Sequence, residues 1–529
     1  MRSGVQISHP PPKRNDINMA DVKLSERTHP LYDDNIDNWD LYKDAAKGGE
    51  SFITDENLFS HRLEDSTDYS DRLDRAFFLN LCDLLPTIYN NYIFRTSVER
   101  APNPDLAPFR LNADGRGTPI SELVRRAGYF ASTFGVIHCL VDMPISPKRK
   151  MSKADVRNGN INPYGSIIYP HQLRDWSLDK EGRFRWVIIE SVFYRDLDPT
   201  VEREEELHYK LITTENWEIQ NEDGESVKFD DGTPPKGDNP LGVVPIATMY
   251  HTANYGDDKI GESLIKDVVF INREIMNFCS LISESIARQA FSQLVVPDDG
   301  SLAEAAEDGT ANPLVKLGTS SVWTYSSESR TMPAYISPDA EIISTVWRLT
   351  TDLVKECFRL ASLVGGTSDL YTQSSGRQSQ MSFMGVNAAL SDKAMSYQKF
   401  ENSLSKLALM QLGKDVESFE EVKYPTSFDI AALEEELLNY MNIMEHNFSP
   451  VLNKTIQKNI VRRVIPTSPQ SIRTQIESEI ESGDGIVEPV AANTDSLTDE
   501  RGNPNTDLGK TTKTSEQKTK EGTSHRKEK

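Results

Sequence analysis

Apolar residues recur every three or four positions over three long stretches of the chain, which is the period of an amphipathic helix. The first stretch, 259–292, has no internal proline and predicts a helix of about 50 Å. The second, 338–364, follows Ser337 and starts with a proline, and it is expected to end at a Gly-Gly pair. The third, roughly 379–412, has a small and polar surface that favours close packing against its neighbours. The first two apolar stripes are Ile260, Leu264, Val268, Ile271, Ile275, Phe278, Ile282, Ile286 and Ala290, and then Ile342, Val346, Leu349, Leu353, Cys357, Leu360 and Val364.

Helices and strands are both predicted before the first long stretch. Residues 68–94 show helical spacing, and Pro86 is expected to kink or end that helix. A second helix is expected over 120–135, followed by a short buried strand over 136–143. From about 160 to 252 the chain is rich in Ile, Val, Tyr, Trp and Thr, in pieces separated by turn-forming runs such as DKEG and EDGE. This region is therefore predicted to be an α+β unit.

The remaining segments differ in composition from the long helical stretches. Residues 1–55 are polar and contain many Pro and Gly, so we interpret them as a partly disordered arm. Residues 293–337 combine Gly, Pro, Ser and Thr with short β-like runs, which predicts a compact insertion between the first two long helices. Three short helical patterns lie over 429–481. From residue 482 the chain has almost no aromatic residues, which predicts a disordered tail.

The charge of the chain disfavours two classes of binding protein. Its 529 residues include 81 acidic and 58 basic ones, for a net charge of -23. Residues 468–529 contribute only -3 of this, so a net charge of -20 belongs to the rest of the chain. A protein that coats DNA or an anionic membrane needs Lys and Arg to neutralise phosphates. No apolar run approaches the ~20 residues of a membrane span.

No catalytic, cofactor or metal site is predicted. The nine histidines form no i, i+4 pair, and the four cysteines lie far apart. The run GESLI at 261–265 lacks the final glycine of a nucleophile elbow, and no phosphate-binding loop occurs. His138 is interpreted as a packed strand residue, and the acidic run 202–206 as a solvated loop. An acidic hydrolase with two carboxylates lacks a recognisable constellation, so we expect a protein that is not an enzyme.

The first two long helices favour an oligomer. The first stripe steps by about 3.75 residues on average, more than the 3.5 of a heptad seam, which disfavours a left-handed coiled coil. Two helices that flank a compact insertion predict a projecting helical hairpin with a small module at its tip. One chain alone buries such a stripe poorly, so neighbouring subunits are expected to cover it.

Several of these segments together resemble a tailed-bacteriophage portal protein. They include the runs YSDRLDRAFFLNLCDLLPTIYNNYIFR, GYFASTFGVIHCLVDMP and NPLGVVPIATMYH in the first half. The later runs are IGESLIKDVVFINREIMNFCSLISESIARQAFSQLVV, SSGRQSQMSFMGVNAALSDKAMSYQKFENSLSKLALMQLG and FSPVLNKTIQKNIVRRVIPTSPQSIRTQIESEIESG. The resemblance spans most of residues 30–480, and it lies in the order of the elements rather than in one motif.

The resemblance implies a ring at one capsid vertex of the virion, made in the host cytoplasm and usually dodecameric. The ring passes double-stranded DNA and docks terminase, then head–tail adaptor proteins, and it also contacts major capsid and scaffolding proteins. No membrane and no cofactor are implied. On this pattern the regions are an N-terminal arm (1–55), an α/β wing (56–258), a first stem helix (259–292), a clip (293–337), a second stem helix (338–364), a tunnel loop (365–380), a long helix with a return to the wing (381–428), crown-like helices (429–481) and a disordered tail (482–529).

The resemblance also suggests which residues contact DNA and partners. Packaging is powered by a separate terminase ATPase, so the ring needs only a passage that does not grip DNA. The residues expected to touch DNA at the tunnel loop are Ser374, Ser375, Arg377 and Gln378, and those expected to touch partners at the clip are Lys316, Trp323 and Arg330. The alternative is another phage structural component, a head–tail adaptor or minor capsid protein, that does not conduct DNA.

Overall fold

The chain folds as a mixture of helices and sheets, which confirms the predicted α+β class. In the computed structural model, 49% of the chain is helical and 17% is strand. It comprises two compact units, residues 1–429 and 430–529. The structure describes residues 22–144, 161–195, 200, 202–229, 232–252, 259–289, 293–298, 322–326, 334–336, 340–363, 376–426, 428, 440–443, 449–464 and 470–482.

The part of the predicted N-terminal arm that the structure describes is folded. After a short 3-10 helix at Leu24–Glu26, helix α1 spans Pro30–Asp33 and helix α2 spans Ile36–Lys47. Trp39 of α2 is buried, and the ring of His29, the residue that caps α1, stacks on Trp176 at 4.0 Å. The prediction of an arm is therefore wrong from residue 22 onward, because a few well-spaced aromatic residues bury an otherwise polar segment.

The helix predicted over 68–94 is two helices. Helix α3 spans Ser66–Arg75 and helix α4 spans Leu81–Ile93. The break lies at 76–80, where the Asn272 side chain accepts from Leu81 N and donates to the carbonyl of Leu79. Pro86 lies inside α4, where it removes one hydrogen bond, and the helix continues to Ile93. Of the two predicted effects, a kink or an end of the helix, an end at Pro86 is therefore wrong.

Two further helices and a small sheet follow. Helix α5 spans Ala107–Leu111, and helix α6 spans Ile120–Phe134 and ends at Gly135, as predicted. Strand β1 (Val136–Asp142) is almost wholly buried, which confirms the predicted strand. It is the centre of an antiparallel sheet of order β2-β1-β8, in which β2 is Tyr164–Ile168 and β8 is Ile246–Tyr250.

A five-stranded antiparallel meander lies between β2 and β8 in the sequence. Its strands pair in chain order, and β5 starts at Glu204. The acidic run 202–206 therefore lies largely in a strand and not in the predicted loop, because it pairs with the end of β4, for example Glu205 with Tyr194. The strands are β3 (Leu173–Leu178), β4 (Phe184–Arg195), β5 (Glu204–Thr213), β6 (Asn216–Gln220) and β7 (Lys236–Asp238).

The first long helix is shorter than predicted. Helix α7 spans Val268–Gln289, whereas the apolar spacing predicted a start at residue 259. A side chain at Gly261 would collide with the backbone of Gly135, and the Leu264 N–H donates to the carbonyl of Ser132 rather than to a helical neighbour. Contacts with the end of α6 thus hold the preceding residues in a turn.

The second long helix, α8, spans Ala340–Leu360. It ends with Ser362 in a left-handed conformation, φ 53°, from which the N–H donates to the carbonyl of Arg359. The predicted glycine cap at Gly365 and Gly366 is therefore wrong, and those glycines lie outside the described residues. Between α7 and α8 a three-stranded sheet has the order β10-β9-β11: β9 (Gln293–Asp298), β10 (Val322–Ser326) and β11 (Ala334–Ile336).

The third long helix packs against several elements of the first unit. Helix α9 spans Gly376–Gln411, about 54 Å, and packs on β8, β1, α4 and α6. Phe400 and Leu404 are fully buried, as the predicted late cluster of apolar residues requires. Close packing is also confirmed, because Tyr397 lies directly against Gly128 of α6 and its hydroxyl donates to the side chain of Asn90.

The second unit contains two described helices of more than a few residues. Helix α10 spans Pro450–Val464 and helix α11 spans Gln470–Ser482. They are joined by Lys454, which donates to the carbonyl of Glu481 at 2.7 Å, and by an ion pair between Lys458 and the same glutamate. The first of the three predicted helical patterns is described only at 440–443, and the predicted tail lies outside the described residues after Ser482.

Substitution of Gly128 tests the contact between α6 and α9. A Cβ at Gly128 would lie 1.9 Å from the hydroxyl oxygen of Tyr397, so we expect Gly128→Ala to lower the free energy of unfolding by about 1–3 kcal/mol. Gly385→Ala in α9 is the matched control. Its Cβ would meet nothing within 4 Å, and the gain in helix propensity should raise stability by about 0.5–1 kcal/mol. Urea denaturation measures both, and equal effects would contradict the contact.

Candidate functional site

Some of the residues predicted to contact DNA or partners lie in regular structure. Arg377 and Gln378 are in the first turn of α9. Residues 376–380 of the predicted tunnel loop, 365–380, are therefore helical. Trp323 lies in β10, paired with Val295 of β9. The other four lie outside the described residues: Lys316, Arg330, Ser374 and Ser375.

Helices α7 and α8 form an antiparallel pair, one end of which is buried in the main core. We call this buried end the root of the pair. Val268 and Ile275, in the first half of α7, are buried in the same core cluster as Cys357, near the end of α8. The opposite ends of the two helices lead into one sheet, since β9 starts at Gln293 and β11 ends at Ile336. The pair therefore leaves the core at one end and reaches the β9–β11 sheet at the other.

Charged residues fix the root of this pair. Arg72 of α3 is 2% exposed, and its guanidinium donates to the Ser280 hydroxyl of α7 at 2.9 Å. The same guanidinium forms two hydrogen bonds of 2.8 Å with the Glu64 carboxylate. One helical turn later, Arg75 pairs with Glu284 at 2.6 Å. The bidentate pair with Glu64 fixes the orientation of the Arg72 guanidinium. Its bond to Ser280 and the Arg75–Glu284 pair then link α7 to α3.

Apolar side chains on both helices of the pair are not covered. Leu281 and Ile286 of α7 are 46% and 50% exposed, and Trp347 and Leu349 of α8 are 54% and 47% exposed. Of these four, Ile286 and Leu349 belong to the predicted stripes, which are therefore buried at Ile275 and about half exposed at these two positions. Full burial of one such side chain stabilises by about 1.5–3 kcal/mol, so binding of a partner that covers this surface would gain this free energy at several positions.

A buried amine lies under the middle of α9. Lys393 is 1% exposed, and its Nζ has no hydrogen-bond partner. It lies 5.4 Å from the centre of the Tyr397 ring. His251, which follows β8, is also buried, with its Nδ1 3.2 Å from the Ser132 hydroxyl and its ring 5.5 Å from that of Tyr89. We call these five residues the Lys393 cluster.

Burial sets the protonation of the Lys393 cluster. It lowers the pKa of Lys393 well below the usual range, because a charged amine would lose its hydration without gaining a partner. Burial also lowers the pKa of His251, and the positive charge that Lys393 would carry lowers it further. The pKa of the Tyr397 hydroxyl is raised, again mainly by burial. Burial therefore favours the uncharged form of both bases.

One feature of the sequence indicates that Lys393 is buried, but it was not used to predict this cluster. Lys393 occupies an inward position of α9, spaced by three or four residues from the buried Leu390 and Tyr397. A lysine on such a stripe is rarely buried without a partner. Its proximity to His251 has no local signal, because the two residues are far apart in the sequence.

Other side chains that could take part in catalysis or bind a metal are buried as packing residues instead. His138 is buried in β1 with Nδ1 3.0 Å from the Thr248 hydroxyl, and burial lowers its pKa to about 3, which confirms a packed strand residue. All four cysteines are buried and unpaired, and burial raises the pKa of Cys139 and Cys357 to about 12. In the described part of the chain, no three His, Cys, Asp or Glu side chains meet as metal ligands.

None of the helices in the described part of the chain is long and apolar enough to span a bilayer. No protein-family model matches this chain, and no curated protein matches it either. The functional assignment therefore depends on the geometry of the helix pair and on the order of the elements.

Replacement of Lys393 tests the buried amine. Because burial lowers the native pKa of Lys393, the native state binds fewer protons than the unfolded state in the pH range below 10.5, so the contribution of Lys393 to stability rises as pH approaches 10.5. Lys393→Met should therefore be more stable than the parent at pH 7, and the difference should shrink by pH 10. Urea denaturation at both pH values measures this. Lys399→Met, at an exposed position of the same helix, is the control, and a pH-independent difference for Lys393→Met would contradict the uncharged amine.

Proposed function

We propose that this chain is the subunit of a portal ring of a tailed bacteriophage. In this proposal the ring sits at one capsid vertex and forms the channel for DNA packaging and ejection. The observation that carries it is the α7–α8 pair, which projects from a buried root, connects to a small sheet and leaves apolar side chains exposed on both helices. This matches the stem and clip that the sequence resemblance implies.

Neighbouring copies are the partners that would cover the pair. Exposed apolar residues lie on both helices, Leu281 and Ile286 on α7 and Trp347 and Leu349 on α8. If α7 of one copy packs against α8 of the next, each copy uses two different surfaces. Such head-to-tail contacts generate a closed ring when the rotation closes. A dodecamer is the ring size that the resemblance implies.

The acidic charge of the chain suits a passage that must not hold DNA. Most of the net charge of -23 belongs to residues before 468, and carboxylates that line a bore would repel phosphates and keep sliding friction low. Arg377 and Gln378 in the first turn of α9, with Ser374 and Ser375 just before it, would then make only transient contacts with DNA.

The β9–β11 sheet at the outer end of the pair would be the docking surface. Terminase during packaging, and head–tail adaptors afterwards, would bind this module through Trp323 in β10 and through Lys316 and Arg330. The wing region would face the capsid and scaffolding proteins. No catalytic group of this chain is needed, because terminase supplies the energy for DNA movement.

Acidic substitutions on the pair test the proposed subunit contact. The double variant Ile286→Glu and Leu349→Glu should dissociate the ring into monomers, because it removes about 1.5–3 kcal/mol of burial per site and buries charge in its place. Sedimentation velocity measures the assembly state, and circular dichroism checks that the fold is kept.

The control for this experiment is Leu63→Glu, the same change at a position that is 81% exposed and lies outside α7 and α8. It should leave the ring intact. A double variant that assembles as well as the parent would show that the exposed apolar side chains of α7 and α8 are not the subunit contact.

Charge reversal at Arg377 tests the proposed DNA contact. Arg377→Glu should reduce the amount of DNA packaged in an assay with cognate capsids and terminase, because a like charge at the constriction repels phosphates. Ring formation should be unaffected. Arg116→Glu, an exposed arginine in the loop between α5 and α6, is the control, and an unchanged length of packaged DNA in the Arg377 variant would contradict the contact.

A further inference from the structure

A cleft of about 370 Å³ lies beside the first residues of β5. Strand β6 covers the outer edge of β5 only from Tyr209 onward, where Tyr209 pairs with Gln220. The chain then turns away, and Val227 N–H donates to the carbonyl of Ile219 as it returns. The outer edge of β5 at Glu205–Leu207 therefore faces the cleft instead of a described strand.

The walls of the cleft are strongly acidic. Five carboxylates line it, against a single lysine. Coulomb repulsion among them falls when a cation enters, so the cleft favours a positively charged occupant. A strand edge beside such a space also tends to recruit extended chain, and native proteins commonly cover it. The lining residues are Glu205, Glu206, Leu207, Asn221, Glu222, Asp223, Glu225, Ser226, Val227 and Lys228.

The start of the described chain runs along the same wall. Ser25 donates from its hydroxyl to the carbonyl of Glu222 at 2.8 Å, and Lys23 Nζ lies 3.9 Å from the Asp223 carboxylate. Lys23 also lies against Gly224, 3.4 Å from where a Cβ on that glycine would be. The described chain therefore begins, at Val22 and Lys23, close to the rim of the cleft.

The preceding residues, 1–21, carry a short basic run. Three prolines at 10–12 are followed by Lys13 and Arg14. Consecutive prolines favour an extended polyproline conformation, so this run loses little conformational entropy when it is bound. Lys23 is nine positions after Arg14, and an extended chain of nine steps reaches about 30 Å. That is several times the width of a cleft of this volume, so the run can reach every carboxylate in it.

We propose that the segment His9–Arg14 of this chain docks in the cleft beside β5, with Lys13 and Arg14 against the carboxylates of the cleft wall. The docked segment covers the open edge of β5 and closes the acidic face of the meander. This contact is within one chain and is independent of ring assembly and of the proposed function.

Amide hydrogen exchange in the full chain tests the docking. Exchange of 204–208 and 221–228 is compared between the parent, a variant that lacks residues 1–18, and Lys13→Glu with Arg14→Glu. Docking through exposed ion pairs predicts exchange about fivefold slower in the parent than in either variant, and loss of the difference in 0.5 M salt. Arg2→Glu, a charge reversal earlier in the same segment, should behave as the parent.

A synthetic peptide of residues 1–21 provides the second measurement. It should bind saturably to the variant that lacks residues 1–18, and it should not bind when that variant also carries Glu222→Lys, Asp223→Lys and Glu225→Lys. Equal exchange in the parent and the Lys13 and Arg14 variant, or peptide binding that survives the three lysine substitutions, would overturn the proposal. Unchanged melting temperatures confirm that the variants are folded.

Discussion

Helices α7 and α8 carry more apolar surface than one copy of the chain covers. Their shared root is buried, with Ile275 and Cys357 fully inaccessible, whereas Ile286 and Leu349 on the same stripes are about half exposed. The Arg72 and Arg75 contacts link α7 to α3 and leave these side chains exposed. The surface must therefore stay exposed or be covered by another molecule, and assembly into a ring is the solution we propose.

The body that carries the pair is held together by α9. This helix crosses the small sheet and packs so closely on α6 that Gly128 has no room for a side chain. It also buries Lys393 beside His251 without a carboxylate to pair with either. A buried base without a partner reduces stability.

Much of the secondary structure was predictable from apolar spacing, and the failures have physical causes. Strand β1, helix α6 and the late cluster of α9 were predicted because their patterns are local. The start of α7 was not, because the contact of Gly261 with Gly135 joins residues far apart in the sequence. The break before α4 depends in the same way on Asn272. Folding of the segment after residue 22 was missed because Trp39 and a few neighbours bury an otherwise polar stretch.

The residues of the candidate site also divide into those that local sequence patterns predict and those that only the fold brings together. The exposed stripes on α7 and α8 were predicted, since they follow from helical periodicity and from the excess of apolar positions. The Lys393 cluster was not predicted, because its members come from four separate elements. Tail and tunnel-loop residues such as Ser374 lie outside the described residues, so their assignment remains a proposal from the resemblance.

Electron cryo-microscopy of the purified full-length chain tests the central claim most directly. The account predicts end-on class averages of a closed ring with an axial hole, and side views in which the α7–α8 pairs form a narrow stem. Monomers, open filaments or closed assemblies without an axial hole would contradict a portal. An assembly without a hole would instead favour an adaptor or minor capsid protein that does not conduct DNA.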